Sequence, residues 1–554
     1  VEVMRGGGSA LFGSSAIAGT INIITKEPMR NSGMLSHTIT GIGDGDVFDN
    51  STALNASLVT DDQRAGLYIF GQNRHRSAYD HDGDGYSEIP KLHGQTIGFR
   101  SFLKTTTYSK LTFEYHHMEE FRRGGDLLNR PPHEANVAEQ TEHSINGGGL
   151  KFDYFSPNEN HRFNVFASAQ HINRDSYYGP GDRDPLDAYG NTTDLNWMAG
   201  SQYVYSFGKC IFMPSDLTAG IEFNQDKLED NMWGYNRTVD QKVNIGSAFL
   251  QNEWKNDHWG FLIGGRLDKH NLIDHVIFSP RANLRYNPTE NINLRFSYSS
   301  GFRAPQAFDE DLHVENVGGN VAMVELADNL KEERSQSLSA SADIYHRFGA
   351  FQVNFLVEGF YTKLSDVFAL TDGEVVDGIL TRTRHNASGA QVLGLTLEGK
   401  MAYLNKIQVQ AGVTLQQSHY SKPHIWNKEA PAVKKMMRTP NTYGYFTATY
   451  TPIKPLSIAL SGTYTGSMLV PHEPVPGFLE NPITVNTKDF FDIGLKAAYD
   501  FKLYKSMNLQ LNAGIQNIFN AYQDDFDKGA DRDSGYIYGP SLPRSFFAGV
   551  KISY

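Results

Sequence analysis

The sequence has very little of three features that define large classes of protein. Its one cysteine, Cys210, excludes an internal disulfide, and it stands in no metal-binding or redox spacing. No run of about eighteen apolar residues occurs, which excludes a protein that crosses a membrane with helices. Basic residues are in the minority, with 50 Lys and Arg against 62 Asp and Glu. The formal net charge of −12 therefore argues against general nucleic-acid binding, which needs a basic surface.

What the sequence does contain is typical of a β-barrel that crosses a membrane. Aromatic residues make up 12% of the 554 positions, 52 residues are glycine, and only 40% are hydrophobic. In such a barrel every second side chain faces a polar lumen, so the average hydropathy resembles that of a soluble protein. The mean hydropathy of −0.44 fits this pattern. The length then corresponds to one large barrel rather than to several soluble domains.

Alternation of apolar and polar residues is the main sign of strands, and it is clearest at the C-terminus. The same period of two recurs in residues 507–515, 491–501 and 292–298. A soluble sandwich also alternates, but here such segments repeat almost to the last residue and no helical heptads intervene. We therefore predict an all-β fold whose apolar faces point to lipid. The C-terminal apolar face consists of Phe546, Ala548, Val550, Ile552 and Tyr554.

The connections between these segments fall into two lengths. Short turns with Pro and Asn are predicted at residues 156–159, 287–290 and 452–455. Long polar stretches are predicted as loops at roughly 117–145, 173–197, 302–335, 417–441 and 520–543. Short periplasmic turns and long extracellular loops are the arrangement of outer-membrane barrels. At roughly 24 residues for each strand and connection, the chain forms a large antiparallel barrel of about 22 strands, a size whose lumen must be plugged.

The N-terminal segment carries a motif, VEVMRGGGSALFGSSAIAGTINIITKEP. It resembles the end of the plug domain of TonB-dependent receptors, in which I-E-V-x-R-G-P is followed by S-x-L-Y-G and then by G-x-I-N-I-x-T-K. Gly7 replaces the proline of that pattern and Phe12 the tyrosine. The matching residues are Val1, Glu2, Val3, Arg5, Gly6, Ser9, Leu11, Phe12, Gly13, Ala16, Gly19, Ile21, Asn22, Ile23, Thr25 and Lys26.

The resemblance implies a division into residues 1–30, a C-terminal remnant of the plug domain, and residues 31–554, the barrel. Glycines such as Gly13 permit close backbone approach inside a crowded lumen, and Arg5 and Glu2 can pair with lumen charges. The segments NASGAQVLGLTLEGK and GIQNIFN resemble barrel strands of the same family. Most of a plug and the TonB box are missing from the sequence, and no signal peptide opens it. We therefore expect a mature or truncated product.

The resemblance also implies a location and partners. Receptors of this family lie in the bacterial outer membrane, which they cross many times, and they contact its lipid and lipopolysaccharide. The inner-membrane proteins TonB, ExbB and ExbD supply energy by pulling on the plug. Whether a surface lipoprotein caps the barrel stays open. We expect uptake of a scarce, metal-containing nutrient.

One segment points to the nutrient, GFRAPQAFDEDLHVENVGGNVAMVELADNLKEERS. It resembles the FRAP and NPNL boxes of haem receptors, with Phe302, Arg303, Ala304 and Pro305 in the first box and Asn329 and Leu330 retained in the degenerate second box. His313 lies between the boxes, where haem receptors place an axial iron ligand. An ordinary loop histidine is the alternative interpretation. Haem is therefore the first expectation for the cargo, and a ferric siderophore or cobalamin is the alternative.

A second segment, AYDHDGDGYSEIP, resembles the start of a calcium loop. It sets Asp80, Asp82 and Asp84 at alternate positions and follows them with Glu88, so hard carboxylate oxygens could converge on a hard cation. Lys91 stands where an EF-hand has its last glutamate, which argues against a helical EF-hand. A structural calcium site and a solvated acidic loop are both left open. The acidic stretch at residues 524–533 is a weaker candidate, and no cofactor is required.

An enzymatic function finds no support in the sequence. Residues 114–143 gather four histidines, three arginines and several carboxylates, but no HExxH spacing occurs. No phosphate-binding loop with its lysine and no nucleophile elbow is present. We predict that the chain is not an enzyme. A passive porin and a barrel protease or lipase are the rivals, and the plug motif argues against the porin.

Overall fold

The structure is a computed structural model. It describes residues 2–5, 8–14, 16–17, 19–25, 27–43, 45, 47–180, 185–317, 320–540 and 542–554. Nearly all of its regular elements are strands. The helices in these ranges are single turns, α1 (Ser9–Phe12) and α2 (Asp309–Leu312), with short 3-10 turns at Pro132–Glu134, Pro185–Ala188 and Trp233–Tyr235. None of the helices in the described ranges has the length and apolar character to span a bilayer.

The strands of the first half alternate with short turns. In chain order they are β1 (Glu2–Arg5), β2 (Gly19–Asn22), β3 (Ser32–Ile42), β4 (Val47–Val59), β5 (Ala65–Arg76), β6 (Ser87–Thr106), β7 (Ser109–Gly125), β8 (Val137–Phe155), β9 (His161–Pro180), β10 (Tyr189–Cys210), β11 (Met213–Met232), β12 (Arg237–Lys255), β13 (Trp259–His270), β14 (Ile277–Thr289) and β15 (Ile292–Arg303).

The second half interleaves barrel strands with strands inside long loops. In chain order they are β16 (Glu315–Val317), β17 (Asn320–Leu326), β18 (Glu333–Phe348), β19 (Phe351–Ser365), β20 (Phe368–Val376), β21 (Ile379–Asn386), β22 (Ala390–Tyr403), β23 (Ile407–His424), β24 (Val433–Lys435), β25 (Thr442–Ile453), β26 (Leu456–Thr465), β27 (Leu469–His472), β28 (Ile483–Asn486), β29 (Phe490–Tyr504), β30 (Met507–Gln516) and β31 (Ser545–Ser553).

Twenty-two antiparallel strands form a closed barrel, which confirms the predicted fold class. The ring closes where β3 pairs with β31, from Met34 opposite Ser553 to Ile42 opposite Ser545. Closure satisfies every ladder hydrogen bond between neighbouring strands, which a lipid environment requires because no water is available there. The short strand β24 lies beside β23 but is not one of the twenty-two.

The predicted lipid-facing sets are confirmed on the last strands. In β31 the odd and even positions differ in exposure, and Phe546, Val550 and Ile552 are exposed on the outer surface. In β30, Leu511 is likewise exposed, and Gln510 lies on the other face, where its amide donates to Asp500. The alternation therefore follows the two solvents of the barrel wall, lipid outside and water inside.

The three predicted short turns connect barrel strands, but two predicted loops are too long. Residues 117–145 and 173–197 are mostly strand, because β7 to β10 continue their hydrogen bonding far beyond the apolar band. Above the membrane both faces of a strand can be polar, so hydrophobic alternation fades although pairing continues. Two further loop hairpins, β20–β21 and β27–β28, were not foreseen.

The loops form a layer over one end of the barrel. Strands β16, β17, β21 and β20 make a four-stranded sheet, in which β17 and β21 are parallel. A buried apolar cluster fixes this sheet to the rim at the ends of β9 and β11. Its members include Tyr178, Met232, Val314, Val321 and Met323. The loop layer is thus packed against the barrel wall, and it frames the candidate site.

The N-terminal segment lies against the barrel wall through β13 to β15. Its two strands pair with each other, from Glu2 opposite Asn22 to Arg5 opposite Gly19. Gly301 permits the close approach, because a Cβ there would lie 2.6 Å from the carbonyl oxygen of Ala16. The first barrel strand begins at Ser32, and the division after residue 30 stays a prediction.

Candidate ligand-binding site

A cavity of about 330 Å³ lies where the loop layer meets the ends of β6 to β9. We call it the mouth cavity. Its volume is at the lower end of the range for ligand-binding pockets. The loop at 304–332 and the last loop, residues 517–544, supply its other walls. Its polar and aromatic lining includes Tyr86, Glu88, Arg122, Glu139, Tyr178, His313, Glu315, Asp527, Arg532, Asp533 and Tyr536.

Of the residues predicted to bind the cargo, His313 lines the mouth cavity, together with its segment neighbours Val314, Glu315 and Val321. It follows α2, and its side chain is 38% exposed. The ring stands edge-on to that of Tyr178, with 5.2 Å between ring centroids, and its Nδ1 lies 3.8 Å from an oxygen of Glu139. The imidazole is therefore held at the cavity wall by an aromatic ring and a carboxylate.

The other residues of the two boxes lie elsewhere. Phe302 is buried with Ile277 and Ala304, and its backbone N–H donates to the Ser9 hydroxyl of the N-terminal segment at 3.1 Å. Arg303 lies with its guanidinium 3.9 Å from the ring centroid of Phe308. Neither residue lines the mouth cavity.

The remaining three box positions are also outside the cavity wall. Pro305 is half-buried in the bend that follows β15. Asn329 is exposed in a turn, and the N–H of Leu330 closes this turn by donating to the carbonyl of Ala327. The box motif thus describes a strand-to-loop junction and a turn, and it brings only its intervening histidine to the cavity.

The acidic loop at 77–86 is organised around the Asp80 carboxylate. This group accepts hydrogen bonds of 2.8 Å from the backbone N–H groups of Gly83 and Gly85, both of which have positive φ. Carboxylate oxygens of Asp80, Asp82 and Glu88 lie within 4.8 Å of one another. These three predicted calcium ligands are brought together, and such oxygen ligands suit a hard cation.

The fourth predicted calcium ligand, Asp84, turns away to the last loop. Arg532 donates to Asp84 at 2.5 Å and to Glu88 at 3.0 Å, and the N–H of Gly529 also donates to Asp84. Lys528 lies 3.5 Å from Asp82. The two acidic stretches of the sequence therefore bind each other through the basic side chains of Lys528 and Arg532, which belong to the second stretch. Charge-assisted hydrogen bonds such as those of Arg532 are strong.

A second polar network joins four loops above the cavity. Arg382 of β21 contacts Glu315 at 2.7 Å, Asp372 at 3.1 Å and Glu473 at 3.6 Å. Burial raises the pKa of Glu473 to about 7, and the nearby Asp372 adds to the rise. One arginine therefore contacts three carboxylates, and the raised pKa of Glu473 favours its protonated form.

The last loop is fixed beside this network by a histidine and a tyrosine. The His472 ring stacks on Tyr536 with 3.7 Å between centroids, and its Nε2 lies 2.9 Å from Asp527. The N–H of Glu473 donates to Asp533, and burial raises the pKa of that aspartate. These contacts place Asp527 and Asp533 in the wall of the mouth cavity.

Comparison with known proteins identifies the fold. Residues 33–518 match the family model described as "TonB dependent receptor-like, beta-barrel". The chain belongs to the TonB-dependent receptor family. This places the protein in the outer membrane, which it crosses many times with strands. The family and the fold are those of receptors, so no enzyme is implied.

Individual relatives of this TonB-dependent receptor are distant. The iron-regulated outer membrane virulence protein of Vibrio cholerae serotype O1 is 25% identical over 338 residues. That alignment covers 58% of the chain and 47% of the relative, so the chain spans about half the length of the curated relatives that it matches. At this identity and coverage the likeness supports the family and leaves the cargo open.

Solved structures show the same fold at still lower identity. The siderophore receptor PirA from Acinetobacter baumannii matches with a TM-score of 0.78 and 16% identity, over 100% of the chain and 84% of that protein. A mutant of the ferric enterobactin receptor PfeA from Pseudomonas aeruginosa gives a TM-score of 0.77 and 15% identity, over 100% and 84%. These likenesses concern the barrel architecture alone.

The N-terminal segment, whose motif predicts the end of a plug domain, contains two paired strands and a single helical turn within the described residues. Gly13 ends α1 with φ 75°, and its N–H donates to the carbonyl of Ser9. Asn22 donates to Glu2 at 3.0 Å, across the pairing of β1 and β2. Gly19 pairs with Arg5 in the same ladder. Gly6 lies outside the described residues.

Several cavity residues were missed by sequence reasoning. Glu139, Tyr178 and Arg532 converge with His313 only after the barrel closes and the loops fold over it. The stretch from 114 to 143 gave a faint signal, because it is rich in histidine and charge, but it has no spacing that points to a ligand. Of the cavity residues, His313 was predicted as a ligand of the cargo, and Glu88, Asp527 and Asp533 were predicted only as candidate calcium ligands.

Proposed function

We propose that the chain is the barrel of an outer-membrane uptake receptor for a ferric siderophore. The mouth cavity carries this proposal, since it joins extracellular loops to the rim and presents aromatic, basic and acidic side chains to one volume. The similar proteins support iron as the cargo, because they include an iron-regulated outer-membrane protein and siderophore receptors. Haem, the first expectation, has weaker support, because only His313 among the box residues lines the cavity.

The contacts of the N-terminal segment suggest how the site is linked to energy. The Ser9 hydroxyl accepts a hydrogen bond from Phe302, and the Ser335 hydroxyl donates to the carbonyl of Ile17 at 2.7 Å. Phe302 and Ser335 flank the loop at 304–332, which carries His313. Pulling on the segment would break both bonds and loosen the base of that loop. We propose TonB with ExbB and ExbD as the source of the pull.

Binding of ferric siderophores by the purified barrel tests this proposal. A cavity-filling variant, Thr141→Trp, places a large ring inside, because Thr141 lines the mouth cavity. Ser144→Trp is the matched control, since Ser144 lies on the outer face of the same strand, three residues on. Isothermal titration should show a loss of affinity of at least about tenfold for the first variant and none for the control.

Other outcomes of that titration separate the alternatives. Binding of haem or cobalamin, with no binding of any ferric siderophore, would overturn the siderophore proposal and restore those cargoes. Equal affinity in wild type and Thr141→Trp would show that the ligand binds outside the mouth cavity. In cells, uptake of the same iron complex should stop when TonB is deleted.

A further inference from the structure

The mouth cavity is lined by more acidic than basic side chains. Its carboxylates are Glu88, Glu139, Glu315, Asp527 and Asp533, and its guanidinium groups are those of Arg122 and Arg532. Five against two leaves an excess of three acidic groups. A charge imbalance inside a partly enclosed cavity acts more strongly on a bound ligand than the same imbalance on an open surface.

Both arginines of the cavity already have carboxylate partners. The Nε of Arg122 lies 2.6 Å from Glu120, and Arg532 bridges Asp84 and Glu88. An anionic ligand would have to compete with Asp84 and Glu88 for the guanidinium of Arg532, whereas Arg122, whose side chain is 56% exposed, is paired through Nε alone. Breaking the pair of Arg532 would also leave Glu88, whose side chain is 2% exposed, without its cation.

Two lining carboxylates, Glu315 and Asp527, have partners outside the cavity. Behind Glu315 stands one arginine, Arg382, which also faces Asp372 and Glu473. Behind Asp527 stands His472, which carries a charge only when protonated. Around Glu315 the neighbouring side chains therefore add two carboxylates and one guanidinium group.

Glu139 is the most exposed carboxylate of the mouth cavity. The Glu139 side chain is 58% exposed, compared with 37% for Glu315 and 2% for both Glu88 and Asp527. Tyr178 lies beside it, edge-on to His313. An exposed carboxylate is a suitable partner for an ammonium group, which gains a charge-assisted hydrogen bond there.

We propose that the mouth cavity selects ferric chelates that are neutral at the iron and carry a protonated amine, with Glu139 as the partner of that amine. This inference rests on the proposed function and names its substrate class. A ferric trihydroxamate with a terminal ammonium group has these properties. A ferric tris-catecholate is strongly negative at the iron, and haem brings two propionates, so both add negative charge to an acidic cavity.

The test uses pairs of ligands and pairs of variants. Purified barrel is titrated with a ferric trihydroxamate that has a free amine, with the same chelate after acetylation of the amine, with a ferric tris-catecholate and with haemin. The variants are Glu139→Gln and, as a control, Glu142→Gln on the exposed outer face of the same strand. The amine-bearing chelate should bind about tenfold more tightly than its acetylated form to wild type and to Glu142→Gln. In Glu139→Gln this preference should disappear.

Each other result has a defined meaning. Equal binding of the amine and acetylated chelates to wild type would overturn the inference and leave the proposed function standing. Tighter binding of the tris-catecholate than of the amine-bearing hydroxamate would do the same. Tighter binding of haemin, or no binding of any ferric siderophore, would overturn the proposed function and the inference together.

Discussion

Replacement of Leu511 by lysine tests the orientation of the barrel wall. Leu511 lies near the middle of β30, opposite Tyr499 and Val550, and its side chain is 47% exposed on the outer face. A lysine there must place its ammonium group in hydrocarbon, which costs about 2 to 4 kcal/mol near the bilayer midplane. That cost corresponds to a shift of roughly thirty-fold to several-hundred-fold in the folding equilibrium.

The control for this prediction is the neighbouring residue. Gln510 faces the lumen and donates to Asp500 at 2.9 Å, so Gln510→Lys would form an ion pair in water and should cost less than about 1 kcal/mol. Urea titration of the barrel folded into lipid vesicles measures both free energies of unfolding. Equal losses for the two lysine variants would refute the assigned faces of β30, because a shift of one residue exchanges lipid and lumen.

Three further predictions concern the loops. Haemin should give the same absorbance spectrum with wild type and His313→Ala, and a low-spin spectrum that is lost in the variant would support haem as cargo. Calcium should slow proteolysis of the loop at 77–86 in wild type but not in Asp82→Asn, and an unchanged rate in wild type would favour the solvated acidic loop. The pKa of Glu473 is raised from 4.5 to about 7, so the folded loop favours the protonated carboxyl group, and loop stability should fall as the pH rises from about 4.5 to about 7. Hydrogen exchange of residues 466–489 should show this fall, and Glu473→Gln should remove it, whereas an equal fall in that variant would assign the pH dependence to another group.

The barrel could be predicted from the sequence because the membrane imposes a simple rule on every strand. Lipid on one side and water on the other force a period of two, which is visible in β30 and β31 without any knowledge of their partners. Short turns could also be predicted, since Pro and Asn mark them. The upper ends of β7 to β10 could not, because the rule no longer applies where both faces meet water.

The mouth cavity could be predicted only in part. Arg532 and Glu88 are 444 positions apart, and no local pattern shows that the first and last acidic stretches bind each other. Phe302 was assigned to the ligand site because its motif is associated with ligands, but its ring is 1% exposed in an apolar cluster. The motif marks the residues of a strand-to-loop junction, but only the folded loops show that His313 lines the cavity and Phe302 does not.

The position of bound iron tests the central claim most directly. Crystals of the protein with a ferric siderophore, measured at the iron absorption edge, give an anomalous difference map that shows the metal. We expect the strongest peak inside the mouth cavity, among Glu139, Tyr178, His313 and Arg532. Iron bound elsewhere, for example against the serine-rich lumen wall near Ser297 and Ser339, would contradict the account.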